Sequence, residues 1–363
     1  MRFIDEFRDA ALAHKLARRI SSISTKPARL MEFCGGHTVA IMKNGIRQLL
    51  PSNIEMLSGP GCPVCVTATG DIDKAIALAG LPDVIITTFG DMLKVPGSHS
   101  SLQKARAEGH DIRIVYSTQD ALQIAHDNPG RSVIFLGIGF ETTSPTIAAS
   151  LLQAEKEGLR NFHFLCLLKM TPPAMKALLD LGETGLNGII CPGHVSAIIG
   201  TQPYESYARD YGVACVVAGF EPVDILQAVE MLVEQIEQDK PSVEIAYTRG
   251  VKPEGNLRAM ELMHQCFETT GATWRGLGAI PNSGYRLKDR FARFDAEKNF
   301  CMEANPVVEP KGCLCGEILR GVTRPTGCKL FGKACTPENP VGPCMVSSEG
   351  SCAAYYQYGD FHE

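Results

Sequence analysis

The sequence predicts an α/β protein with two doubly wound parallel-sheet domains and a small Cys-rich tail domain. Three observations carry this. From about residue 27 to residue 238, short apolar runs of strand length alternate with amphipathic stretches, the rhythm of parallel sheets with helices on both faces. These runs outnumber the strands of one compact doubly wound unit. Half of the 14 cysteines fall between Cys301 and Cys352, in a region without periodicity.

The elements follow in chain order. Phe3, Phe7, Leu12, Leu16 and Ile20 recur at near-helical spacing and predict an amphipathic helix that docks on the body or binds a partner. Strands are predicted at 30–33, 54–57, 84–87, 112–116, 133–136, 162–168, 188–190 and 214–218, and helices at 39–50, 71–79, 101–108, 146–157, 173–181 and 223–238. The run H-D-N-P-G at 126–130 reads as a linker. It sets the first domain at 1–125 and the second at 126–240. A weak echo supports the split: N-I-E-M-L-S-G-P-G-C at 53–62 and N-G-I-I-C-P-G-H at 187–194 each run from a strand into a Pro-Gly turn bearing Cys or His. Residues 241–311 are expected to return and pack on the α/β domains, with a strand at 243–247, a helix at 255–267 and a Gly-rich run at 274–285. Residues 312–363 form the tail, which cannot bury much apolar area and needs something other than a core to order it; metal is the usual answer.

Composition narrows the function. The chain has 363 residues, 45% of them apolar, long enough to fold without disulfide staples. A net charge of −5 argues against nucleic acid. No apolar run reaches the length of a membrane span, and the N-terminal stretch lacks the apolar region of a secretory signal. A cytoplasmic protein is expected, and cysteine at this density then points to metal, redox or thiol chemistry.

Ligands of open α/β sheets bind beyond the carboxyl ends of the strands. Six predicted strand ends there set thiol, imidazole or carboxylate beside glycine. They contribute Cys34 and His37, Cys62 and Cys65, Asp91, Glu141, Cys191 with His194, and Glu221. Cys62-Pro-Val-Cys65, between a strand and a helix, can close a disulfide whose nearer thiol is activated by the helix N-terminus; two buried small residues or half a zinc site are the other readings. Cys34 with His37 is either a nucleophile with its base or a soft metal ligand beside a proton donor. His194 also suits a satisfied loop histidine, and Asp91 and Glu141 also suit helix caps. The turn at 137–139 lacks the third glycine of a dinucleotide fingerprint. The tail holds Cys313, Cys315, Cys328, Cys335, Cys344 and Cys352 without paired C-x-x-C knuckles. Four thiolates hold an iron–sulfur cluster, which this pattern suits better than zinc, and two are left over.

C-G-G-H-T at 34–38, G-P-G-C-P-V-C-V at 59–66, G-F-E-T-T at 139–143, P-G-H-V-S at 192–196 and the stretch 347–357 occur in this order along nearly the whole chain. Together they resemble the HypD family of hydrogenase maturation factors. The resemblance implies a scaffold and redox protein for [NiFe]-hydrogenase assembly, working with a HypC-type chaperone and a HypE-type cyanide donor. On it an iron receives two cyanides and one carbon monoxide, the transient Fe(CN)2CO centre. It further implies Cys34 as the iron-side thiolate with His37 beside it, and Cys62 and Cys65 as a redox pair. The family spacing C-x14-C-x6-C-x16-C is met by Cys313, Cys328, Cys335 and Cys352 as [4Fe–4S] ligands. Cys315 and Cys344 are then a second thiol pair by the cluster, similar to ferredoxin–thioredoxin reductases. Where the family often has a second histidine, this chain has Val39, so no proton role carries over there. The rival reading from the same residues is a free-standing, cluster-fed thiol–disulfide oxidoreductase.

Overall fold

A computed structural model describes residues 4–302 and 306–359. The expected Phe3 lies outside them. Eleven strands are present among the described residues: β1 (Ala28–Glu32), β2 (Ile54–Ser58), β3 (Val84–Thr88), β4 (Ile112–Ile114), β5 (Ser132–Gly139), β6 (Phe162–Leu168), β7 (Gly188–Pro192), β8 (Ala214–Ala218), β9 (Val243–Ile245), β10 (Phe267–Trp274) and β11 (Gly278–Leu287). They form two parallel sheets, β2-β1-β7-β8-β9 and β4-β3-β5-β6, and one antiparallel pair, β10-β11.

The expected chain-order split at 125/126 is corrected by this topology. β4 and β5 lie on either side of that point yet belong to one sheet, so the four-stranded unit is inserted between β2 and β7 of the other. The linker reading of 120–130 fails because Thr118–Asp127 is a helix, started by a capping box between Ser117 and Asp120. The sequence echo has a different cause as well. β2 and β7 flank β1 in the same sheet, in register with Leu30 at Met56 and Gly188. Asn53 and Asn187, just before the two strands, both bond the start of β1: the Asn53 carbonyl accepts from Ala28 N at 2.9 Å, and the Asn187 side-chain Oδ1 from Arg29 N at 2.8 Å.

Both sheets are buried on both faces, and alternate residues of each strand enter different cores. Leu30, Met56, Ile190 and Val216 pack under the helices Ala10–Ile23 and Pro222–Glu237. Met31, Leu57, Ile189 and Val217 face Met175, Leu178, Tyr204 and Tyr207 on the opposite side. The first helix therefore docks on the body of this chain, with Leu16 and Ile20 inward and Leu12 37% exposed. In the second sheet, Phe135 and Phe164 enter one core while Ile134 and Leu165 enter the other.

The Gly-rich run is the turn and far strand of the hairpin. Gly276 is left-handed at φ +81°, and a Cβ there would lie 2.5 Å from Gly316 Cα. Only glycine satisfies both demands. This contact seats the short helix Cys315–Leu319 on the hairpin tip, where Arg320 donates to the Gly276 carbonyl at 2.8 Å. The last helix, Ser351–Tyr358, lies against the helix Gly35–Lys43. The tail thus shares its core with the sheet ends, through Val66, Phe140, Val195 and Trp274, and is not a free unit. No helix among the described residues is long and apolar enough to cross a membrane.

Candidate functional site

In the five-stranded sheet β1 is followed in sequence by β2 on one side and joined by β7 on the other, so the strand order reverses between β1 and β7. A crevice opens at such a switch point. Cys34, just past β1, and His194, just past β7, meet there: Cys34 Sγ lies 3.7 Å from His194 Nδ1 and 3.8 Å from Nε2. Cys34 is the N-cap of the helix Gly35–Lys43 and is only 2% exposed. Its loop is fixed from two sides. Gly61 packs against it so closely that a Cβ would fall 2.2 Å from Cys34 N. From below, the buried Glu32 carboxyl accepts from Cys34 N at 3.1 Å and bonds Thr38 Oγ1 at 2.5 Å.

The electrostatics follow from burial. Burial pushes Glu32 up to about 8 and outweighs its hydrogen bonds, so the carboxyl is protonated at neutral pH. The Cys34 thiol is pushed far up by burial and then by the nearby Glu349 charge. His194 and His37 are pushed down to about 4 by burial. At rest the crevice holds a neutral thiol beside a neutral imidazole, and a bound cation would convert the thiol to thiolate.

His37, expected to be the partner of Cys34, faces elsewhere. It is fully buried, its Nε2 meets the Gly219 carbonyl at 2.9 Å, and its ring stacks on Phe220 at 4.7 Å. His194 packs on the same Phe220 ring at 5.1 Å, so His37 supports the wall on which His194 leans. His37 Nδ1 has no hydrogen-bond partner among the described residues.

One residue beyond Gly61, a file of thiols begins. Cys62 caps the short helix Pro63–Val66, its Sγ accepting from Cys65 N at 3.4 Å. Cys65 bonds Cys344 through their side chains. Cys344 Sγ lies 2.9 Å from Cys315 Sγ. Residues far apart in sequence thus stand in the order Cys62, Cys65, Cys344, Cys315. The contact to Cys344 and burial push the Cys315 thiol up, so it is protonated at rest. Cys62 is 3% and Cys65 1% exposed, hidden from bulk solvent.

All six tail cysteines, Cys313, Cys315, Cys328, Cys335, Cys344 and Cys352, line one small cavity, with Ile318, Leu330, Phe331 and Met345 as apolar walls. Among the described residues, no three His, Cys, Asp or Glu side chains converge on one metal ion. A cluster spreads its ligands over four irons, however, and this donor set fits one: sulfur ligands, no carboxylate in the lining, and an N–H from Val341 to Cys335 Sγ at 3.3 Å.

Comparison with known proteins shows the family. The HypD family model (Hydrogenase formation hypA family) matches residues 11–359. This chain belongs to the HypD family. It is 51% identical to the hydrogenase maturation factor HypD of Azotobacter vinelandii, over 99% of this chain and 97% of the relative. It is 50% identical to HypD2 of Bradyrhizobium diazoefficiens, over 100% and 98%, and 46% identical to HypD of Escherichia coli K12, over 99% and 98%.

Of the three carboxylates at the strand ends, Glu221 is the N-cap of the helix Pro222–Glu237 and pairs with Arg8 at 2.6 Å, and the other two fare differently. Glu141 caps the helix Thr171–Leu181, accepting from Thr171 N at 2.8 Å and Oγ1 at 2.9 Å. Burial pushes it up to about 7. Asp91 is exposed on the turn Gly90–Lys94, and its charge reaches Glu349. Glu349 is the residue that reading strand ends overlooks. It sits over the helix bearing Cys34, where a Cβ on Gly35 would meet its Cβ at 2.4 Å. Its only signal in the sequence is its place in the stretch 347–357 of the family resemblance.

Proposed function

We propose that this HypD-family chain is the scaffold on which the iron of [NiFe]-hydrogenase receives two cyanides and a carbon monoxide, with that iron as cargo at Cys34. The observation that carries the reading is the continuous file from Cys34, through the Gly61 contact, to Cys62, Cys65, Cys344 and Cys315. Thiolate is a soft ligand suited to ferrous iron bearing strong-field ligands, and His194 stands beside it. A HypC-type chaperone and a HypE-type cyanide donor are the expected partners.

Cys313, Cys328, Cys335 and Cys352 would hold a [4Fe–4S] cluster, which supplies single electrons when bound. The chain's own thiols do the rest. With Cys62 and Cys65 joined, Cys344 as thiolate attacks Cys65 Sγ, forming a mixed disulfide and releasing the Cys62 thiolate. Cys315 then attacks Cys344 Sγ and releases the Cys65 thiolate. One disulfide has passed from one pair to the other, and two protons move with it. The reduced Cys62 and Cys65 can give two electrons and two protons to chemistry at Cys34 and close again.

Burial weighs against the free-standing oxidoreductase, which needs a thiol open to many substrates. Here both Cys62 and Cys65 lie under the tail. Cys62→Ala should abolish hydrogenase maturation in a complementation assay while leaving the iron content and visible absorbance of the tail unchanged. Cys34→Ala should do the same. Full maturation with either variant contradicts the scaffold reading.

A further inference from the structure

A reservoir of electrons inside the tail must be refilled from outside, and the surface nearest the cavity has a distinctive charge. A groove of about 670 Å³ runs along the outside of the tail. One wall carries Pro310 and Lys311, where Cys313 N donates to the Pro310 carbonyl at 3.4 Å. Another wall is the loop Glu338 to Val341, whose last amide bonds Cys335 Sγ. The groove is therefore built from the segments that present two of the thiols. Lys94 and Lys104 line its far side.

Lys311, Lys329 and Lys333 stand two, one and two residues from Cys313, Cys328 and Cys335, within about 7 Å along the chain. All three are exposed. None of these five lysines forms an ion pair or side-chain hydrogen bond among the described residues, whereas Arg320 and Arg324 of the same tail are paired with Glu183 and Glu55. The opposing carboxylates of the groove are Glu309, tied to Thr69 Oγ1 at 2.6 Å, and Glu338. Within the groove Lys94, Lys104 and Lys311 stand against these two carboxylates, and Lys329 and Lys333 add exposed positive charge beside two more of the tail cysteines, on a chain whose net charge is −5.

We propose that this lysine-rich face is the docking surface for a small acidic one-electron carrier protein, which refills the tail. The inference rests on the iron–sulfur reading above. The reduced carrier loses one electron, the cluster gains it, and no proton or bond is exchanged. Unpaired ammonium groups around the entry point steer an acidic partner and fix its approach. Lysines held in internal ion pairs would not serve.

The test uses the full-length protein isolated without oxygen and an acidic [2Fe–2S] ferredoxin as the carrier. Stopped-flow bleaching of the tail absorbance gives the rate of reduction. The rate should fall steeply with added salt, and by about tenfold or more in the triple variant Lys311→Glu, Lys329→Glu, Lys333→Glu. Photoreduced deazaflavin, a small uncharged reductant, should reduce both proteins equally, and Lys15→Glu with Lys240→Glu should match the unaltered chain. Carbodiimide cross-linking should join ferredoxin carboxylates to Lys311, Lys329 or Lys333, a readout independent of electron transfer. Rates insensitive to salt and to the triple variant, or cross-links that map elsewhere, overturn the docking surface. Protein lacking the cluster absorbance from the outset overturns the iron–sulfur reading beneath it.

Discussion

Glu32 offers the sharpest quantitative consequence of the crevice. Its carboxyl is 1% exposed and holds its proton up to about pH 8. In the unfolded chain the same group ionises near 4.5. Between those values the folded state binds one proton more than the unfolded state, so stability falls as pH rises, by about 1.4 kcal/mol per unit. Across the full window the loss is about 5 kcal/mol. Glu32→Gln mimics the protonated form: the amide oxygen can accept from Cys34 N and the amide nitrogen can donate to Thr38 Oγ1. The two proteins should be equally stable near pH 4.5. The variant should gain steadily above that, reaching several kcal/mol at pH 8. His37 and His194 titrate in both proteins and cancel in the difference. Denaturant unfolding of the metal-free protein, followed through the fluorescence of the single tryptophan, Trp274, gives that difference directly. A constant difference across this pH range, or a variant destabilised throughout, would refute a protonated Glu32.

Other consequences are more compact. His194→Ala should weaken ferrous iron binding about 10- to 100-fold, measured anaerobically by calorimetry, whereas equal binding would remove His194 from the site. Gly276→Ala should cost about 1–2 kcal/mol for its left-handed backbone alone, plus the clash with Gly316. It should lower both the melting temperature and the iron retained by the tail; an unchanged protein would show that the hairpin tip does not seat the tail.

The sequence conveyed the strands well, because strands buried on both faces read as continuous apolar runs. β3, β6 and β8 begin where the periodicity places them. What it could not convey was which strands pair. The union of β1 with β7 spans the entire inserted sheet, and no local pattern encodes a partner so distant. The same blindness affected the site. Closeness in sequence suggests His37 as the partner of Cys34, but one helical turn carries it toward Gly219, while His194 arrives from the far side of the switch point. The helix Gly193–Ile199 is masked in the sequence by its Pro-Gly start, which looks like a turn. The thiols were legible as residues, yet only the packing of the turn Pro343–Met345 on the helix Pro63–Val66 joins them into a file.

The central claim is that Cys34 carries an iron bearing cyanide and carbon monoxide. Infrared spectroscopy tests it most directly, on the full chain purified without oxygen from cells that also express HypC-type and HypE-type partners. Metal-bound cyanide and carbon monoxide absorb where proteins do not. Such bands should be present in the unaltered protein and vanish in Cys34→Ala, with the visible absorbance of the tail retained in both. Bands that survive Cys34→Ala, or no bands from protein whose tail absorbance is intact, would contradict it.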